Sequence, residues 1–244
     1  MSAQPMLIDR PDAYLAATEQ EMMERLLPLT HARVLELGCG AAWITRQLAQ
    51  KYPDSLFICT EVDRIQHEKN LQLAVSGNLE FRLGGAEAIA EADDSVDILW
   101  MLKSLHHVPV ELMKAAMEEI VRVLKPGGLA YFCEPVYRGE FNALLSLIHD
   151  EKQVREAAFD AIQSLAGSGQ MHLQGEYFFS TPTSYDSWER FEDRFLNITH
   201  TPLSIDEAQY ERIKQTFLSH WGPQGAHFDK LHRVDLLQKN LSSE

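Results

Sequence analysis

The chain has 244 residues, enough for one large domain or one domain with an insertion and too few for two independent enzymes. Its 45% hydrophobic and 24% charged composition is that of an ordinary globular protein and excludes disordered, collagenous and fibrous classes. With 22 Lys and Arg against 36 Asp and Glu, the net charge of −14 repels phosphate backbones and disfavours nucleic-acid partners.

Cys39, Cys59 and Cys133 have neither CxxC spacing nor an even count, which reads as reduced thiols in a cytoplasmic protein. No apolar run reaches the ~20 residues that span a bilayer. The opening MSAQPMLIDRPDAYLAATEQ also lacks the apolar stretch and cleavage site of a signal peptide, so no membrane partner is expected.

In chain order, Tyr14, Leu15, Met22, Leu26 and Leu27 fall at helical spacings and predict a leading helix over 11–28, within an N-terminal helical segment of residues 1–30. VLEL (34–37) is a short apolar strand ending at Gly38, and AAWITRQLAQKY after it repeats Ile44 and Leu48 at helical spacing. SLFICTEV (55–62) and IQHEKNLQLAV (65–75) repeat the strand–helix alternation. LEFRLG (79–84) and VDILWML (96–102) read as strands, VELMKAAMEEIVRVL (110–124) as an amphipathic helix, and LAYFCEPV (129–136) as a fifth strand beyond the Lys125–Gly128 stop. Strands alternating with helices imply right-handed crossovers and a parallel sheet covered on both faces.

Past residue 137 the rhythm changes. FNALLSLI (141–148) and EKQVREAAFDAIQSLA (151–166) predict consecutive helices, an aromatic stretch follows, and residues 189–202 are expected to lead into a sixth strand. Residues 205–221 read as helix and 231–238 as a seventh strand. The expected fold is α/β, a doubly wound, seven-stranded Rossmann-like sheet in a single domain over 1–244, with a helical insertion at 138–190 covering the active-site end.

Gly38-Cys39-Gly40 closes the first strand, where the backbone can approach a ligand and the next helix offers unpaired N–H groups. Glu61 lies 21 residues past Gly40, at the end of the second strand, where an acid accepts hydrogen bonds from ribose hydroxyls. Asp63 is the alternative ligand, and the register counted from Pro53 favours Glu61. Together these features predict a nucleoside cofactor. Trp43 stands where a dinucleotide site wants a third glycine, and its indole would obstruct a pyrophosphate. Glu36 opposes a phosphate and suits an ammonium or sulfonium.

ELGCGAAW, Glu61, GGAEAI (84–89), VDILWMLKSLHHV (96–108) and LKPGG (124–128), in that order, resemble the class I S-adenosylmethionine-dependent methyltransferases of the small-molecule type. The resemblance implies that Glu36, Gly38, Cys39 and Gly40 hold the methionine end of S-adenosylmethionine and that Glu61, followed by Val62, holds the ribose. It places Ala86 and Glu87 at the adenine edge and Leu102 and Lys103 beside the sulfonium. Where the family often carries an acid for the adenine amino group this chain has Gly85, so Glu87 or a backbone carbonyl must substitute.

His107 is the first candidate for a general base, with His106 beside it as the weaker one. Glu134, Tyr137 and Arg138 leave the end of the fifth strand and are candidates for holding a small-molecule acceptor. Tyr177, Phe178, Phe179, Tyr185 and Trp188 read either as core or as an apolar cap. The remaining histidines show no metal-ligand spacing, and no metal is expected. The loop LKSLHH lacks the Asn/Asp-Pro-Pro-aromatic signature of base-amino methylases. Two rival readings stay open: a non-catalytic cofactor-binding or sensing protein, and an NAD-dependent oxidoreductase. The residues do not identify the acceptor, the methylated atom or the oligomeric state.

Overall fold

The computed structural model describes residues 6–197 and 204–241. The chain opens with a short strand β1 (Tyr14–Ala16) and helix α1 (Glu19–Leu26), then alternates through β2 (Arg33–Leu37), α2 (Trp43–Lys51), β3 (Leu56–Glu61), α3 (Arg64–Leu71) and β4 (Leu79–Leu83). Strand β5 (Val96–Leu102) runs into a single 3₁₀ turn at Leu105–His107, followed by α4 (Val110–Val123) and β6 (Leu124–Pro135). Two helices, α5 (Gly139–Ser146) and α6 (Lys152–Gly167), precede the long strand β7 (Met171–Tyr185). The chain ends with α7 (Trp188–Phe195), α8 (Glu207–Leu218), the two-residue β8 (Trp221–Gly222) and β9 (Gly225–Lys239).

The main sheet is ordered β1-β7-β9-β6-β5-β2-β3-β4, with β8 paired to β9. Strands β6, β5, β2, β3 and β4 are parallel, as the alternation predicts, and β9 is antiparallel to both neighbours, β6 and β7. Period-two alternation divides the parallel strands between two cores. Leu99 and Met101 of β5 and Phe132 of β6 face the side carrying α4 and α6. Ile98 and Trp100 of β5 and Tyr131 of β6 face the side carrying α1 and α2.

Four expectations need correction. The sheet has nine strands rather than seven, the additions being β1 and β8. The leading helix starts at Glu19, not near residue 11: Thr18 and Glu21 form a reciprocal capping box there, and Tyr14–Ala16 pair in parallel with Phe178–Ser180 of β7. The segment 138–190 is not wholly helical, because its helices end at Gly167 and β7 fills 171–185. Finally, the sixth strand expected from 189–202 lies earlier in the chain; those residues fall on α7 and, from 198, outside the described residues.

The long strands decide what lies above the sheet. The pairing of β6 with β9 ends at Pro135–His232, yet β9 begins at Gly225 and stays paired with β7 to the Tyr185–Ala226 register. At 3.3 Å per residue this arm overhangs the carboxyl end of β6 by roughly 20 Å. Around its far end, Phe141 and Leu144 of α5, Tyr185 of β7, Trp188 and Phe191 of α7, Ile213 and Phe217 of α8 and Phe228 of β9 form a third core separate from the two beside the sheet. Phe217 is fully buried, with the rings of Phe191 at 4.9 Å and Trp188 at 5.4 Å. Phe217→Ala is expected to lower stability by ~3–5 kcal/mol, measured by urea unfolding, because an aromatic is removed from a core too interlocked to close the cavity.

Candidate functional site

Strand order reverses at β2, with β5 on one side and β3 on the other, which opens a crevice at their carboxyl ends. Gly38 and Gly40 turn the chain there at φ +69° and +53°. A Cβ on residue 38 would lie 2.8 Å from Ser104 Cβ, whereas one on residue 40 would meet nothing within 4 Å. Gly38 therefore serves close packing against the β5 loop, while Gly40 leaves its outer side open. Buried Asn70 of α3 fixes this loop by donating to the Gly40 carbonyl at 2.7 Å, and Cys39 N–H donates to Thr60 O at 2.9 Å. No side chain caps α2, whose N-cap Ala42 sits at φ +48°, so its first N–H groups lack a side-chain partner beside the loop. Trp43 opens α2 and is 71% exposed.

Glu61 closes the other side of the crevice. Its Oε2 accepts from Gly40 N–H at 2.8 Å, and its Oε1 accepts from the N–H groups of Val62 at 2.8 Å and Asp63 at 3.0 Å. Asp63 is occupied as the N-cap of α3, accepting from Ile65 N–H at 2.9 Å. Val62 is 64% exposed, and Leu83 at the end of neighbouring β4 is exposed too, giving an apolar ledge. Ala86 is buried, and the Glu87 carboxylate folds back into the space a side chain on Gly85 would take, so the loop carries an acid where the sequence has none.

Glu36 on β2 is only 3% exposed. Burial pushes its pKa up to about 7, against the downward pull of hydrogen bonds from Thr45 Oγ1 at 2.6 Å and Cys59 Sγ at 3.5 Å. Leu102 ends β5. Lys103 follows in a left-handed conformation, donates its N–H to Cys133 O at 2.7 Å, and pairs its ammonium with Glu19 of α1. Burial alone would lower the Lys103 pKa, but the charge of Glu19 leaves it raised.

Beyond Lys103 a cavity of about 660 Å³ opens between the sheet and the overhanging arm. One wall is the 3₁₀ turn. Buried His106 pairs through Nδ1 with Glu134, which also accepts Leu105 N–H at 3.0 Å. The His106 Nε2 is 4.0 Å from Glu151 Oε2, and Arg155 donates to that same oxygen at 2.6 Å. Arg155 and His106 hold the Glu151 carboxyl below its ordinary pKa despite the upward push of burial. His107 is exposed, its ring 4.1 Å from that of His106, and its pKa is lowered by burial and by the His106 charge. Ligand atoms of His106, His107 and Glu151 lie within 4.8 Å of one another, a spacing a cation could bridge, although Arg155 already neutralises Glu151.

The three candidates after the fifth strand separate. Arg138 lines the large cavity and pairs with Asp9 at 3.1 Å, whereas Glu134 and Tyr137 line a neighbouring cavity of about 140 Å³. Among the aromatic candidates, Phe179, Tyr185 and Trp188 are core residues. Residues the sequence did not mark complete the large cavity: Glu19, Glu151, Arg155, Arg194, Lys230 and His232. They come from three helices and β9, or from the turn before α6, and no local pattern announces them.

A doubly wound sheet whose glycine turn and strand-end acid meet at the switch point is the Rossmann-like arrangement, in which ligands bind at the carboxyl ends of the strands. A family model described as a methyltransferase domain matches residues 34–128. The uncharacterized methyltransferase YcgJ of Bacillus subtilis is 27% identical over 193 residues, 72% of this chain and 74% of its own length. A dimethylglycine N-methyltransferase of Parasynechococcus marenigrum is 26% identical over 232 residues, 88% of this chain and 80% of its own. The crystal structure of B. subtilis YcgJ superposes with a TM-score of 0.63 at 20% identity, covering 92% of this chain and 98% of that one. These likenesses support a class I S-adenosylmethionine-dependent methyltransferase family for the chain, whose residues 34–128 match the methyltransferase domain. Among the described residues, no helix is long and apolar enough to cross a membrane.

The buried acid on β2 makes stability pH-dependent. Because the folded pKa of Glu36 is raised, from 4.5 to about 7, its neutral form is the one the fold favours. The penalty for ionising it is absent below the unfolded value, grows as pH rises between the two values, and is complete above the folded one. Glu36→Gln should therefore match the wild type near pH 4 and exceed its stability near pH 8 by ~3 kcal/mol, at ~1.4 kcal/mol per unit. Paired urea titrations at the two pH values measure the difference.

Proposed function

We propose that the protein acts in the cytoplasm, holding S-adenosylmethionine along the Gly38–Gly40 turn and methylating a small organic acceptor in the adjoining cavity. The observation that carries the reading is the unfilled side of Gly40 beside the Glu61 carboxylate, directly before the loop whose Lys103 and His106 line that cavity. Glu61 would receive the ribose hydroxyls, the Val62 and Leu83 ledge the adenine ring, and Glu87 the adenine amino group. Glu36 would ionise against the ammonium, since a cation offsets the burial that keeps its proton on. When bound, S-adenosylmethionine supplies an electrophilic methyl group on a sulfonium, an already activated leaving group.

The chain's own contribution is then alignment, dryness and proton acceptance. The arm and its helices cover the cavity from one side and limit the access of water. Glu134 holds the His106 imidazole through Nδ1, which leaves Nε2 to accept the proton of an acceptor hydroxyl or amine. His106 replaces His107 as the candidate base, because His107 is exposed and no carboxylate orients it among the described residues.

Calorimetry on cofactor-stripped protein should show micromolar binding of S-adenosylmethionine and S-adenosylhomocysteine, with none of NAD. Glu61→Ala should weaken that binding about tenfold or more through loss of charged hydrogen bonds. Binding of NAD alone, or of none of the three, would overturn the reading. With an acceptor in hand, His106→Asn should cut kcat about 100-fold with cofactor affinity unchanged, and Glu134→Gln should fall between it and the wild type. An unchanged kcat in His106→Asn would remove the base.

A further inference from the structure

Five of the chain's 22 Lys and Arg residues line the large cavity: Lys103, Arg138, Arg155, Arg194 and Lys230. In a molecule of net charge −14 this concentration of cations needs a local reason. Three of them have carboxylate partners, Lys103 in Glu19, Arg138 in Asp9 and Arg155 in Glu151. Lys230 and Arg194 have none among the described residues. Each instead stands over an aromatic ring: the Lys230 ammonium is 5.0 Å from the Phe141 centroid and the Arg194 guanidinium carbon 5.7 Å from that of Phe195. The two rings pack edge to face at 5.9 Å, so the aromatic floor brings both cations to one side of the cavity.

Burial and the charges of Arg194 and Lys103 push the Lys230 pKa down to about 8. This half-buried ammonium feels the positive charges of Arg194 and Lys103, and although Asp229 also lines the cavity, it makes no ion pair with Lys230 among the described residues. Two residues further along β9, on the same side of the strand, His232 lines the same cavity. It is buried, its Nδ1 has no hydrogen-bond partner, and burial with the Lys103 charge lowers its pKa to about 4. A neutral imidazole there has a ring N–H to donate. Two cations without a carboxylate partner among the described residues, with a buried neutral imidazole beside them in the wall of the same cavity, form a receptor for negative charge.

We propose that Lys230, Arg194 and His232 form an anion subsite, so that the methyl acceptor is an organic anion held by its carboxylate or phosphate group. The assignment names the substrate class of the site described above and so rests on the methyltransferase reading. It also explains how an acidic protein takes an acidic acceptor: repulsion over the general surface is reversed at this one cavity. An anion between them would also offset the repulsion that Arg194 exerts on Lys230.

The test uses full-length protein saturated with S-adenosylhomocysteine, whose own binding checks the cofactor reading separately. Benzoate, phenyl phosphate and the uncharged benzamide are titrated into it by calorimetry. Benzoate or phenyl phosphate is expected to bind while benzamide does not, and the tighter of the two anions identifies the acidic group. Lys230→Gln and Arg194→Gln should each weaken the anion about tenfold or more, with S-adenosylhomocysteine affinity and the circular dichroism spectrum unchanged. Arg194 is exposed, so its replacement keeps the test valid if Lys230→Gln fails to fold. Equal binding of benzoate and benzamide, or anion affinities unmoved by Arg194→Gln, would overturn the subsite while leaving the cofactor reading intact. Loss of S-adenosylhomocysteine binding in the wild type would instead overturn that reading, and the anion titrations would then be judged on the unloaded protein.

Discussion

Everything at the site depends on one backbone constraint, the passage of the chain from β2 into α2 through two left-handed glycines. Residue 38 cannot carry a side chain because Ser104 fills that space, and residue 40 has none although space is free. The first condition ties β2 to the β5 loop, and the second leaves a backbone surface open to a ligand. Asn70 and Glu61 hold the turn from α3 and β3, so the glycine loop, the acid and the cavity loop form one connected structure. A shift in any one of them moves the other two.

Above this frame the molecule uses a different principle. Strands β7 and β9 outrun β6 and carry the covering elements on their far end, where an aromatic core independent of the sheet holds α5, α7 and α8 together. The cover is thus joined to the sheet by a stiff two-stranded arm rather than by loops alone. That arm places Lys230 and His232 opposite the loop bearing Lys103 and His106. One face of the cavity is set by the frame of the glycine turn and the other by the arm, which on the proposed function separates cofactor geometry from acceptor choice.

Buried charge marks where ligands belong. Burial raises the Glu36 pKa to about 7, and burial with the charges of Arg194 and Lys103 lowers that of Lys230 to about 8. The charged forms of the two groups have opposite sign, and they occupy different parts of the crevice, one on β2 before the glycine turn and one on the arm. A cationic cofactor and an anionic acceptor would each relieve one of them.

The parallel half of the sheet, its glycine turn and the Glu61 offset were legible in the sequence because they arise from local periodicity and from residues at fixed spacing. Tyr14 and Leu15 misled the reading because their spacing suits a helix, while the capping box at Thr18 and a pairing with Phe178 and Phe179, more than 150 residues away, make them a strand. The aromatic run 177–185 gave no clue to its 15-residue partner β9, since strand pairing across 40 intervening residues leaves no periodic trace. Choosing between His106 and His107 likewise required the fold, because only the register of β5 beside β6 brings Glu134 to one ring and leaves the other at the surface. What the sequence by itself determined is the glycine turn and its facing acid, because their spacing is set by one strand, one turn and the next strand. What only the tertiary structure decided is the large cavity, because Glu19, Arg155, Lys230 and His232 come to line it from elements remote in the chain, which no local pattern encodes.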